Sequence, residues 1–161
     1  MRISPLFATG PLIVALALFA ALPAAHAGQI SLEITTACVH NKSAARRDLN
    51  QVNPGLGIEG AVTPDFGLAG GFYRNSFKET SWYAVGQWTP LHIRLPAGWD
   101  VSAGIEGGLV SGYAHTNPAA PFGAGALIRM RDASRWGINV VAVPNLGASS
   151  GFVGLQLVAP L

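Results

Sequence analysis

Alternation of period two runs through this sequence and constrains its fold more than any other feature. The clearest stretch is Trp99 to Tyr113. One face reads Trp99, Val101, Ala103, Ile105, Gly107, Leu109, Ser111 and Tyr113; the other reads Asp100, Ser102, Gly104, Glu106, Gly108, Val110 and Gly112. Successive side chains of a strand point to opposite sides, so an apolar face with a ring at each end backs onto a face of small and polar residues. No window beyond Ala27 sustains the i, i+3, i+4, i+7 spacing of an amphipathic helix. Similar alternating runs predict strands near 29–40, 54–63, 66–75, 80–90, 99–113, 122–132, 134–144 and 150–161.

The connections alternate too. Thr63-Pro64-Asp65 and Arg131-Asp132-Ala133-Ser134 read as tight hairpin turns, whereas Asn41–Asn53, Ser76–Glu79 and Ala114–Pro121 read as loops. The 91–98 connection fits this alternation less well. A turn side and a loop side are the mark of an up-and-down meander. The expected fold is therefore all-β, an eight-stranded antiparallel up-and-down barrel of outer-membrane type.

Composition decides which face points outward. Of the 161 residues, 50% are hydrophobic and 11% charged, against about 25% charged in an average soluble domain. Such a chain lacks the polar coat for a water-facing exterior, so the apolar face is expected to meet lipid. A soluble lipocalin-like lipid-binding barrel would alternate in the same way with its apolar face inward, and stands as an alternative. The last strand, Ser150 to Leu161, sets Val153, Leu155, Leu157, Ala159 and Leu161 on one face, although outer-membrane barrels commonly end in an aromatic residue. The formal net charge of +2 reflects few ionisable groups rather than a basic patch. That excludes electrostatic nucleic-acid binding, and high hydrophobicity excludes disorder.

Met1–Ala27 reads as a cleaved secretory signal. Arg2 precedes an apolar run from Pro11 to Leu22, and Ala25-His26-Ala27 supplies the small-x-small cleavage pattern. The run falls short of the ~20 residues that a spanning helix needs. Residues 28–161 are then a single barrel domain, exported to the outer membrane of a Gram-negative cell. Cys38 is the only cysteine and cannot form an intramolecular disulfide, so it reads as a packed small hydrophobe.

Chemistry has few places to sit. His40, His92 and His115 lack metal-ligand spacing, and no nucleophile elbow or phosphate-binding glycine loop is present. Neither a metal nor a cofactor is expected. A polar set remains near strand ends: His40 closes the first strand, Asn75-Ser76 closes the third, and Glu79-Thr80-Ser81 opens the fourth. A meander brings these ends to one rim. A histidine beside a serine hydroxyl, oriented by a carboxylate or an amide, can activate a hydroxyl or relay its proton. The same residue types also cap loops and make turns. Glu59 and Glu106 fall on polar strand faces, with Arg94, Arg129 and Arg131 as candidate partners in interior ion pairs.

Two short segments carry a family likeness. Phe77-Lys78-Glu79-Thr80-Ser81-Trp82, followed by Gly86-Gln87-Trp88-Thr89-Pro90-Leu91, is similar to the Phe-Lys-Asp-Ser-Trp segment and the downstream Gly-x-x-x-x-Trp-Arg-Pro-Leu stretch of the outer-membrane lipid A palmitoyltransferases. Over roughly residues 38–161 the chain resembles that family. The resemblance implies an eight-stranded barrel that moves a palmitoyl chain from a phospholipid to lipid A, so phospholipid and lipid A would be its partners.

His40 resembles the family's catalytic histidine, Glu79 matches its carboxylate and Ser81 its serine, with one residue extra between them. Asn75-Ser76 is a competing register for the polar pair. His40 would take a proton from the acceptor hydroxyl, Glu79 would orient or stabilise it, and Ser81 would help bind the ester carbonyl. Gly104, Gly108 and Gly112 would leave room for the chain. Pro121 and Val143-Pro144-Asn145 resemble the prolines that open gaps in the barrel wall for lipid access. The family's leading amphipathic helix has no counterpart between Ala27 and the first strand. The rival expectation is a non-enzymatic small outer-membrane barrel serving membrane integrity or adhesion, whose interior Glu59, Glu106 and Arg129 would fill.

Overall fold

A computed structural model describes residues 30–117 and 119–161; the secretory signal expected at Met1–Ala27 lies outside them. The chain forms β1 (Ile30–His40), α1 (Ser43–Asp48), β2 (Val52–Ala61), β3 (Phe66–Arg74), β4 (Thr80–Leu95), β5 (Trp99–Val110), β6 (Phe122–Arg131), β7 (Gly137–Val143) and β8 (Phe152–Pro160). Each strand pairs antiparallel with the next, and β8 pairs with β1 to close an eight-stranded barrel. Closure leaves no long unpaired edge in the wall. The connections after β2, β4 and β6 lie on the turn side; those after β1, β3, β5 and β7 lie on the loop side.

The alternation resolves into an outside and an inside. Phe72, Trp88, Ile105, Phe122, Ile128 and Leu157 stand exposed on the outer face. The buried set is mostly polar: Ser31, Glu33, His40, Glu59, Gln87 and Asn139 point inward. This inverts the ordinary globular arrangement. The last strand follows its pattern, with Val153, Leu155 and Leu157 exposed.

Four local features differ from expectation. The Asn41–Asn53 loop contains the six-residue α1, whose last turn carries Arg46 and Arg47. β4 continues to Leu95 instead of stopping near residue 90. Its pairing with β3 ends at Trp88, and its register with β5 shifts between Trp88 and Leu91. β3 begins at Phe66, opposite Trp88, so beyond that point β4 runs on with β5 alone, and Pro90, which has no N–H to offer a ladder, falls within the register shift. That overhanging hairpin carries an exposed Arg94–Asp100 pair at 2.9 Å, so Arg94 is not an interior partner. β5 stops at Val110: Ser111 accepts the Trp82 N–H through its hydroxyl, Gly112 takes φ 85°, and Tyr113 swings inward. Tyr113 is therefore not on the outer face, and its hydroxyl accepts a 3.1 Å hydrogen bond from Tyr73.

The turn-side half of the interior is filled. Glu59 receives Arg131 at 2.6 Å and Arg129 at 3.2 Å. Asn139 donates to both Glu33 and Glu59 at 2.9 Å, and the Tyr83 hydroxyl donates to Glu33 at 2.6 Å. Removing these charges from water costs several kcal/mol each, and the mutual contacts and amide bonds offset that cost. Glu106 stands apart, with one bond from Gln87 at 3.4 Å.

Candidate functional site

Above that network lies a cavity of about 810 Å³ that runs up to the loop rim, within the 300–1,000 Å³ range typical of small-molecule sites. Its walls include Tyr73, Val85, Val110, Val141 and Phe152, and its mouth is formed by α1 and the 111–121 and 144–151 loops. The interior is thus half plug and half pocket. Gly104, Gly108 and Gly112 do not line that pocket. A side chain at Gly108 would collide with the backbone of Ala84, and one at Gly112 would strike Ser81. These two glycines serve close approach of the chain to itself, not room for a ligand.

His40 and Ser76 meet at the mouth. His40 is the last residue of β1, facing inward beside Phe152 of β8, with ring centroids 6.2 Å apart. Its Nε2 lies 3.0 Å from the Ser76 hydroxyl, and both side chains are buried in the cavity wall. The imidazole Nδ1 is buried and makes no hydrogen bond among the described residues.

Ser76 is held by its neighbours. The Asn75 side-chain carbonyl accepts the N–H groups of Phe77 at 2.8 Å and Glu79 at 3.0 Å, winding 75–79 into a compact turn with Lys78 at φ 66°. The Asn75 amide donates to Ser81 at 3.0 Å, and Ser81 donates to the Ser111 carbonyl at 2.7 Å. From the other side, the Asn50 N–H donates to the Ser76 carbonyl at 2.9 Å. Three segments are thereby stitched beneath one serine. Asn75 and Ser81 are fully buried.

The five candidate residues therefore divide. His40 and Ser76 are in direct contact, while Asn75 and Ser81 form a supporting chain behind them. Glu79 is exposed, and its side chain makes no contact with His40 among the described residues. His92 pairs with Asp65 at 2.8 Å on the turn side, far along the chain fold from the mouth. His115 lines the mouth itself. No cluster of His, Cys, Asp or Glu among the described residues could hold a metal ion.

Sequence reasoning did not single out Glu33, Tyr73 or Gln156, all of which line the interior. Their signal was there: each lies on the inward parity of its strand. Tyr113 gains a role as well. Burial raises its phenol above the ordinary value, so it remains a neutral partner for Tyr73.

Around the mouth, the loop side gathers Lys42, Arg46, Arg47, Arg74 and Lys78 against Asp48 and Glu79. The β6–β7 ladder spans only Ala126–Arg131 and Gly137–Ala142, so Phe122–Gly125 have no ladder partner on β7. Phe122 and Pro144, on either side of this interruption, both line the cavity.

No protein-family model matches this chain, and no curated protein matches it.

Proposed function

We propose that this is an outer-membrane barrel that seats a fatty acyl chain in its loop-side cavity and transfers it at the rim, with phospholipid as donor and lipid A as acceptor. The observation that carries the reading is the 3.0 Å contact between His40 Nε2 and the Ser76 hydroxyl at the mouth of a largely apolar-walled cavity. The exposed apolar belt supports placement in a bilayer, and closure pairs the backbone internally along most of the wall, apart from the interruption between β6 and β7. The cationic mouth suits lipids that carry phosphates.

In this reading His40 accepts the proton of the acceptor hydroxyl. That oxygen forms a new bond to the ester carbonyl carbon, the original ester C–O bond breaks, and His40 returns the proton to the departing alkoxide. Ser76 donates to the carbonyl oxygen as it gains negative charge. Asn75 and Ser81 fix the position of Ser76, and Glu79 takes no part. The interruption between β6 and β7 gives the chain a lateral way in.

The unpartnered Nδ1 of His40 favours a second reading, in which the acyl chain is bound but not transferred. Mass spectrometry of lipid A and phospholipids from host cells separates the two. Cells with the gene should show one acyl chain moved; His40→Ala and Ser76→Ala should reduce that by about 100-fold or more. Identical lipid profiles with and without the gene would overturn transfer.

A further inference from the structure

The inner end of the cavity does not match a plain hydrocarbon. Thr35 on β1 and Gln156 on β8 are cross-strand partners on the inward face, and both line the cavity. Thr35 Oγ1 and Gln156 Oε1 are buried without a hydrogen-bond partner among the described residues. Next along the inward face of β1 is Glu33, which belongs to the filled half, so this pair sits at the cavity floor. Glu106 also lines the cavity, held only by the 3.4 Å bond from Gln87. Its potential cationic partners, Arg129 and Arg131, are engaged with Glu59. Between this floor and the mouth the walls are Val85, Val110, Val141 and Phe152.

Unpaired buried oxygens are costly, and a methyl terminus pressed against them would leave them unpaired and strip Glu106 of water. A hydroxyl at the far end of the chain answers the mismatch: it donates to Gln156 Oε1 and accepts from the Thr35 hydroxyl. We infer that the cavity selects fatty acyl chains bearing a hydroxyl at or near the distal end, with Thr35, Gln156 and Glu106 as the groups that read it. This rests on the acyl-binding reading above and specifies its ligand. A site built to hydrogen-bond a ligand hydroxyl discriminates against the analogue that lacks it.

The test uses the full mature barrel in detergent micelles, with displacement of a fluorescent fatty acid by two probes: hexadecanoic acid and its ω-hydroxy analogue. The ω-hydroxy acid should bind about tenfold more tightly. Thr35→Val and Gln156→Leu, each close in volume to the native residue, should separately shrink that preference to about twofold or less, with hexadecanoic acid binding retained and tightened as an unpaired buried oxygen is removed. Retained displacement by hexadecanoic acid also shows that each variant is folded. Equal binding of the two acids to the native protein would overturn the inference and leave acyl binding intact. A preference that survives both substitutions would overturn the assigned residues and the inference with them. Failure of both probes to bind would overturn the acyl-binding reading as well.

Discussion

Asn75 organises more of the rim than any other residue. Its side chain takes two backbone N–H groups, gives its amide to Ser81, and so determines that Ser76 points into the barrel while Glu79 points out. The sequence placed histidine, serines, asparagine and glutamate at one rim, but could not say which serine His40 meets. A one-residue difference in register exchanges inside for outside, and the turn wound on Asn75 is invisible to a period-two pattern. Two outcomes follow at this scale. Asn75→Ala should lower unfolding stability by about 1–3 kcal/mol, because it strands two backbone donors and removes the amide hydrogen bond to Ser81; denaturant titration in micelles measures it. Glu79→Ala should leave the lipid profile and the unfolding midpoint unchanged. Gly112→Ala combines a positive φ with a collision against Ser81, so it should be worse tolerated than alanine at Gly147, which also has positive φ but open space around it.

At the scale of elements, the strands were legible because alternation, turn residues and length all agreed. The departures sit at single residues where the alternation carried on. Pro90 marks the register shift where β4 runs on past the start of β3, and Gly112 let β5 end before Tyr113. α1 escaped notice because a six-residue helix is too short to display a periodic face. The overhanging β4–β5 hairpin bears an ion pair that is freely solvated. Asp100→Asn should therefore produce no measurable change in the unfolding midpoint, since exposed pairs contribute little. A clear loss of stability would mean that the hairpin is held against something else.

For the whole molecule, eight strands and closure were readable, whereas the division of the interior was not. Alternation says which residues face inward but not at what depth they lie. Glu33, Glu59, Arg129, Arg131 and Asn139 come from four strands and meet only because closure and stagger bring them to the same level. The net charge of +2 likewise concealed an uneven distribution: among the described residues the loop side carries five cations and two carboxylates, the rest of the barrel four cations and six carboxylates. Glu59→Gln would leave both guanidinium groups without their carboxylate, and should destabilise the barrel by about 3 kcal/mol. That is far more than any change at the exposed hairpin, and thermal or denaturant unfolding in micelles would show the contrast.

The same filled half has an electrical consequence. A cylinder whose lower section is occupied by interlocked carboxyl, guanidinium and amide groups is a cup rather than a tube, and offers ions no continuous water path from one rim to the other. Reconstituted in a planar bilayer under an applied voltage, the barrel should behave as an insulator. A steady ohmic current, or one that appears only on displacing a bound lipid, would require the plug to open.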